Sequence, residues 1–156
     1  MSEPLASKPN RLAQLVCRPG GVSMDEAVRA ADANLESIRG DVVKGVETTI
    51  ERMQAIGMSL TTERDEAAAE ELYNLANAVI GISGAFGLGS LGEVAYSLCD
   101  LIDRSRTAGG WSLPAMQVHL NSLRLLHPGR AGDEAGQEAV VAALRRMVER
   151  LANGAV

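Results

Sequence analysis

The 156-residue chain reads as an all-α protein, an up-down four-helix bundle with an additional terminal helix. Three observations predict this. Apolar residues recur at steps of three and four over long stretches, which is the period of one helix face. Ala, Leu, Glu and Arg dominate, while strand-favouring runs of Val, Ile, Thr and aromatics are absent. The links between periodic stretches are short and polar, as antiparallel neighbouring helices require. The length suits one domain with a core of its own. Aromatics are limited to Tyr73, Phe86, Tyr96 and Trp111, so that core is aliphatic.

Residues 1–22 hold three of the five prolines and end in "RPGG". They read as a flexible segment, with the bundle domain over 23–154. Ser23 suits an N-cap, with Asp25 and Glu26 placed where the helix dipole favours negative charge. Met24, Val28, Ala31, Leu35, Ile38, Val42, Val46, Ile50 and Met53 then form one stripe, which Gly40 and Gly45 could bend or split. Thr62 caps the second helix, whose stripe is Leu72, Leu75, Val79 and Phe86. A break near Gly87–Gly89 leads to a third helix marked by Leu91, Val94, Leu98 and Leu101, which fades at "RTAGG". Ser112 and Pro114 start the next one, with Met116, Leu120 and Leu123 on its apolar face. "HPGRAG" ends it. The last helix runs from about Asp133 to Leu151, with Asn153–Gly154 as its stop.

Composition narrows the function. A net charge of −5 with no basic stripe argues against nucleic acid as a partner. No apolar stretch is long enough to cross a bilayer, and "MSEPLASKPN" lacks the apolar run of a signal peptide. A cytoplasmic protein with no membrane partner is expected. Cys17 and Cys99 lie far apart and read as reduced thiols, Cys99 in the core. His119 and His127 are eight residues apart without a helper cluster, so neither a metal site nor a cofactor is expected. The glycines follow helix rather than strand, which excludes a phosphate-cradling loop.

The segment "LANAVIGISGAFGLGSLG" combines helical period with Gly81, Gly84, Gly87, Gly89 and Gly92. Each interior glycine costs a helix up to about 1 kcal/mol against alanine. Asn77, Gly81, Gly84 and Leu88 fall at i, i+4, i+7 and i+11 and share one helix face. Two readings stand at this point. Small residues can let helices of the bundle pack tightly, or they can clear a shallow landing for another protein's backbone.

"LANAVIGISGAFGLGSLGEVAYSLCDLID" resembles the centre of the histidine-containing phosphotransfer domain, whose motif is Ala-His-x-Leu-Lys-Gly-x-x-Gly-x-x-Gly followed by a helix of spaced leucines. Ala76, Val79, Gly81, Gly84 and Gly87 match, Phe86 fits the apolar position before the last glycine, and Leu91, Leu98 and Leu101 fit the next helix. The long leading helix and "VHLNSLRLL" are also similar to those of bacterial phosphotransfer-like proteins, so the likeness spans about residues 24–126. It implies a four-helix bundle acting in two-component signalling, where a surface histidine relays phosphate to or from the receiver domain of a response regulator. The departure lies at the centre: Asn77 stands at the phosphoacceptor position and Ile80 at the lysine.

An asparagine amide nitrogen has its lone pair delocalised into the carbonyl and is no nucleophile. The resemblance therefore implies a degenerate module, not expected to be an enzyme of the phosphorelay, that docks a receiver through Tyr73, Asn77, Ile80, Gly81, Gly84 and Leu88 without taking its phosphate. A histidine kinase is a further possible partner. Two alternatives remain at sequence level. His119 could act as a substitute acceptor, and the chain could be a helical scaffold or homodimer built on the long first helix. On the apolar stripe of its helix, His119 is also placed to be a packed histidine bonded to a carbonyl or carboxylate. His127, next to Pro128, reads as a solvated turn residue.

Overall fold

The structure, a computed structural model, describes residues 21–108, 110–128, 130 and 132–153. The described residues form five helices and no strand: α1 Met24–Ser59, α2 Glu66–Ser83, α3 Gly89–Ala108, α4 Leu113–Leu125 and α5 Glu134–Ala152. Cys17, Gly154 and nearly all of the 1–22 segment lie outside the described residues. The chain divides into two units, Met1–Ser37 and Ile38–Val156, with the boundary inside α1.

In the first unit, Ser23 Oγ accepts from the Glu26 amide at 3.2 Å while Glu26 Oε2 accepts from the Ser23 amide at 3.0 Å. This reciprocal capping box satisfies two amides that a helix start leaves open. It also holds the Glu26 carboxyl below its usual range. The apolar stripe expected here is not buried: Met24 is 83% exposed, and Val28 is exposed as well.

The second unit holds the core. Burial on α1 begins with Val46 and continues through Ile50, Met53 and Ile56, with Val42 half-buried before them. Gly40 and Gly45 do not split the helix, which runs through both as one element. Leu72, Ala76 and Val79 of α2 join Leu91, Val94, Leu98 and Ile102 of α3 in the same cluster. Met116, Leu120 and Leu123 of α4 and Val141, Leu144 and Val148 of α5 complete it. Helix α3 is central, packing against α2, α4 and α5, and α4 also meets α5. Each fully buried aliphatic side chain contributes about 1.5–3 kcal/mol.

The helix starts follow local chemistry, with one correction. Asp65, not Thr62, caps α2: its carboxylate accepts from the amides of Ala67 and Ala68 at 3.0 and 3.2 Å. A carboxylate aligned with the helix dipole outcompetes a threonine hydroxyl three residues earlier. Asp65→Ala is expected to cost about 1 kcal/mol in urea denaturation, and Thr62→Ala close to nothing. Ser112 caps α4, with Pro114 in its first turn, and Asp133 caps α5 by accepting from the Gly136 amide at 2.9 Å. The backbone amide of Asn153 closes α5.

Candidate functional site

The glycine-rich end of α2 is built by a specific terminating turn. Gly84 keeps right-handed helical angles (φ −64°, ψ −42°), so the helical path continues past Ser83. Gly87 then adopts φ +68°, a left-handed conformation that side chains make costly. The Leu88 amide donates back to the Ser83 carbonyl at 2.9 Å, the six-residue closure typical of a helix stopped by a left-handed glycine. Arg39 donates to the Phe86 carbonyl at 2.9 Å, satisfying another oxygen of the same turn.

Asn77, Gly81 and Gly84 stand exposed along one face of this helix, beside exposed Asn74, Ala78 and Ala85. Among the described residues, a Cβ placed on Gly81 or Gly84 meets no atom within 4 Å outside its own helix. Tight packing between helices is therefore not what these two glycines serve. That role falls to Gly92, where a Cβ lies 2.8 Å from Ser83 Cβ, and to Gly57, where it runs into the Leu120 side chain. No charged residue occurs between Leu72 and Gly92, so the exposed face is small, uncharged and shallow.

Three residues expected on this face sit differently. Tyr73 is half-buried beneath the Arg106 guanidinium, 5.7 Å from its ring centroid, and Arg106 is in turn held by Glu66 and Glu70. Ile80 is half-buried against the core because it lies on the inward side of the Asn77–Gly81–Gly84 line. Leu88 follows the left-handed Gly87, so the helical i+11 relation does not carry to it; it packs on the core and lines a separate cleft with Leu126 and Pro128.

One residue of the surface escapes the glycine motif. Cys99 Sγ lies 3.8 Å from the Tyr73 carbonyl, and Gly92 lies against Ser83, so α2 and α3 run antiparallel. Interpolating between these two anchors sets Tyr96 of α3 at the level of Asn77. Tyr96 is 67% exposed. An aromatic placed off the Leu91, Val94, Leu98, Leu101 stripe was the available sequence signal for it.

His119 lies in the core at 0% exposure. Its Nδ1 is 2.8 Å from the Ala115 carbonyl, which can only accept, so Nδ1 carries the proton. Nε2 then accepts from the Ser97 hydroxyl at 2.9 Å. Both ring nitrogens are occupied, and neither reaches solvent as a phosphoacceptor must. Burial holds this imidazole below its ordinary value of 6.5, against a smaller upward pull from the Ala115 bond. The folded state thus prefers neutral His119, and the unfolded chain protonates it first as pH falls. The stability from this group is whole above 6.5 and lost as pH falls from there toward the folded value. Urea midpoints between pH 8 and pH 5 should decline for the native chain and decline less for His119→Gln.

His127 is buried rather than solvated, with Nε2 3.4 Å from the Val43 carbonyl. Cys99 is a buried free thiol whose pKa burial and the nearby Asp103 push up to about 11, so it is not a nucleophile at neutral pH. Among the described residues no cluster suits a metal ion, and no helix is long and apolar enough to cross a membrane. The chain matches no family model, no curated protein and no solved structure.

Proposed function

We propose that this chain is a phosphotransfer-type signalling module, an up-down four-helix bundle that docks a response-regulator receiver domain through the exposed face of α2 without accepting its phosphate. The observation that carries this reading is the open line of Asn77, Gly81 and Gly84: these motif glycines are exposed where their cost to the helix has no packing return among the described residues. A partner's backbone can approach closely over two missing side chains, with Asn74 and Asn77 supplying amide donors and acceptors and Tyr96 a flanking aromatic. Asn77 has no nucleophilic lone pair, and His119 is enclosed, so docking ends without transfer. Such a module acts by competition or sequestration through a small interface, about 1,200 Å² or less in total.

Gly81→Arg tests the contact. Arginine is a better helix former than glycine, and the site is open, so the melting temperature should not fall. Receiver affinity, read by titration calorimetry, should drop about tenfold or more as the long side chain fills the landing. Unchanged affinity refutes the docking face.

A further inference from the structure

A second, unrelated feature lies between the C-terminal half of α1 and the end of α4. It is a half-open cavity of about 390 Å³, within the size range of small-molecule sites. Glu47 and Glu51 of α1 line it together with Arg124 of α4 and Arg130 of the following loop. Elsewhere the molecule pairs its opposite charges across helix seams: Arg52 with Glu71, Arg106 with Glu66 and Glu70, and Arg145 with Glu93. Around this cavity it does not. Among the described residues, the side chains of Glu47, Glu51, Arg124 and Arg130 enter no ion pair, although both signs border the same space.

The third contribution is His127, only 7% exposed, which lines the cavity. Its Nε2 faces the Val43 carbonyl, and among the described residues Nδ1 has no partner. The remaining wall is formed by Ile50, Ala55 and Met58 together with Gln54, whose side-chain amide donates to the Leu120 carbonyl. Two contacts fix how these groups are arranged along the cavity. His127 meets Val43, and Gln54 donates to the Leu120 carbonyl, so α1 and the α4 end run antiparallel. Glu47, Arg124 and His127 therefore gather toward one end, and Ala55 and Met58 lie toward the other.

From this geometry we infer that the cavity binds a small zwitterion with an aliphatic tail, of the α-amino acid class. The carboxylate meets Arg124 and Arg130, with His127 beside them, and the ammonium meets Glu47 and Glu51. The tail runs over Ile50 toward Ala55 and Met58. A simple anion would face two unpaired carboxylates, and a simple cation two unpaired guanidinium groups. Only a ligand carrying both charges on neighbouring atoms matches both walls.

The test is calorimetric titration of the full chain with L-leucine and L-methionine at millimolar concentration, with hexanoate and hexylamine as single-charge probes. The amino acids should bind, and each single-charge probe should bind about tenfold more weakly or worse. Arg124→Gln combined with Arg130→Gln, and separately Glu47→Gln combined with Glu51→Gln, should each weaken amino-acid binding by about tenfold. All four residues are exposed, so circular dichroism should report an unchanged fold. No heat with either amino acid, equal binding of hexanoate, or binding indifferent to both double variants overturns the inference.

Discussion

Alanine at both Gly81 and Gly84 is expected to stabilise the folded chain by about 1–2 kcal/mol, whereas alanine at Gly92 should destabilise it by about 1–3 kcal/mol. The two effects have opposite signs because the glycines meet different surroundings. At Gly81 and Gly84 a methyl group enters open space, so only the helix preference for alanine over glycine is felt. At Gly92 the added carbon lies 2.8 Å from Ser83 Cβ, an atom fixed to the backbone of α2. Ser83 cannot move aside by side-chain rotation, which leaves Cβ in place, and its single hydroxyl proton is already shared between the carbonyls of Val79 and Ile80 at 2.8 and 3.0 Å. Helices α2 and α3 must separate, at the expense of packing around Val79, Leu91 and Ala95. Urea denaturation of the three variants reads this directly. Destabilisation by the Gly81, Gly84 pair would mean that something covers the face.

That contrast also shows what the sequence could and could not say. End signals at Asp133 and Asn153–Gly154 located the fifth helix, and the helical period located the first four of the described residues, because apolar steps of three and four report burial wherever a neighbouring helix is present. It overstated the burial of α1, since Met24 and Val28 carry the same spacing yet stand exposed. Periodicity states which residues share a face, not whether anything lies opposite. The five glycines of the α2–α3 segment looked alike in sequence and divide three ways in space: Gly81, Gly84 and Gly89 open, Gly87 left-handed, Gly92 packed. The cap of α2 fell on Asp65 rather than Thr62, because a cap is decided by which side chain reaches the first free amides. Spacing puts Leu88 on the candidate face, and the resemblance adds Tyr73 and Ile80. In the structure a guanidinium covers the Tyr73 ring, Ile80 turns toward the core and the left-handed Gly87 breaks the helical path before Leu88, so all three are half-buried where Asn77, Gly81 and Gly84 are exposed. His127 next to a proline suggested a turn open to water, and its contact with Val43, far away in sequence, was not legible locally.

Asn77→His combined with Ile80→Lys should convert the chain from a non-acceptor into a measurable phosphoacceptor. Asn77 is exposed, so a histidine there places an imidazole nitrogen in solvent, where its lone pair can attack the phosphorus of an aspartyl phosphate as the bond to the carboxylate oxygen breaks. The lysine supplies a cation for the transferring phosphoryl group. Ile80 is half-buried, and a lysine there must run its stem along the core edge to bring the ammonium into water. Asn77→His alone should therefore show weaker labelling than the pair. Acid-labile label should be absent from the native chain. A folded double variant that takes no label from any receiver would count against a retained receiver surface.

The most direct test of a docking module that does not accept phosphate is to mix the native chain with a panel of phosphorylated receiver domains, following both label on the chain and phosphate lost from each receiver. The expected result is no label on the chain and an altered rate of phosphate loss from one particular receiver, with Gly81→Arg restoring the receiver's own rate. Label appearing on the native chain, or no change with any receiver, would contradict it.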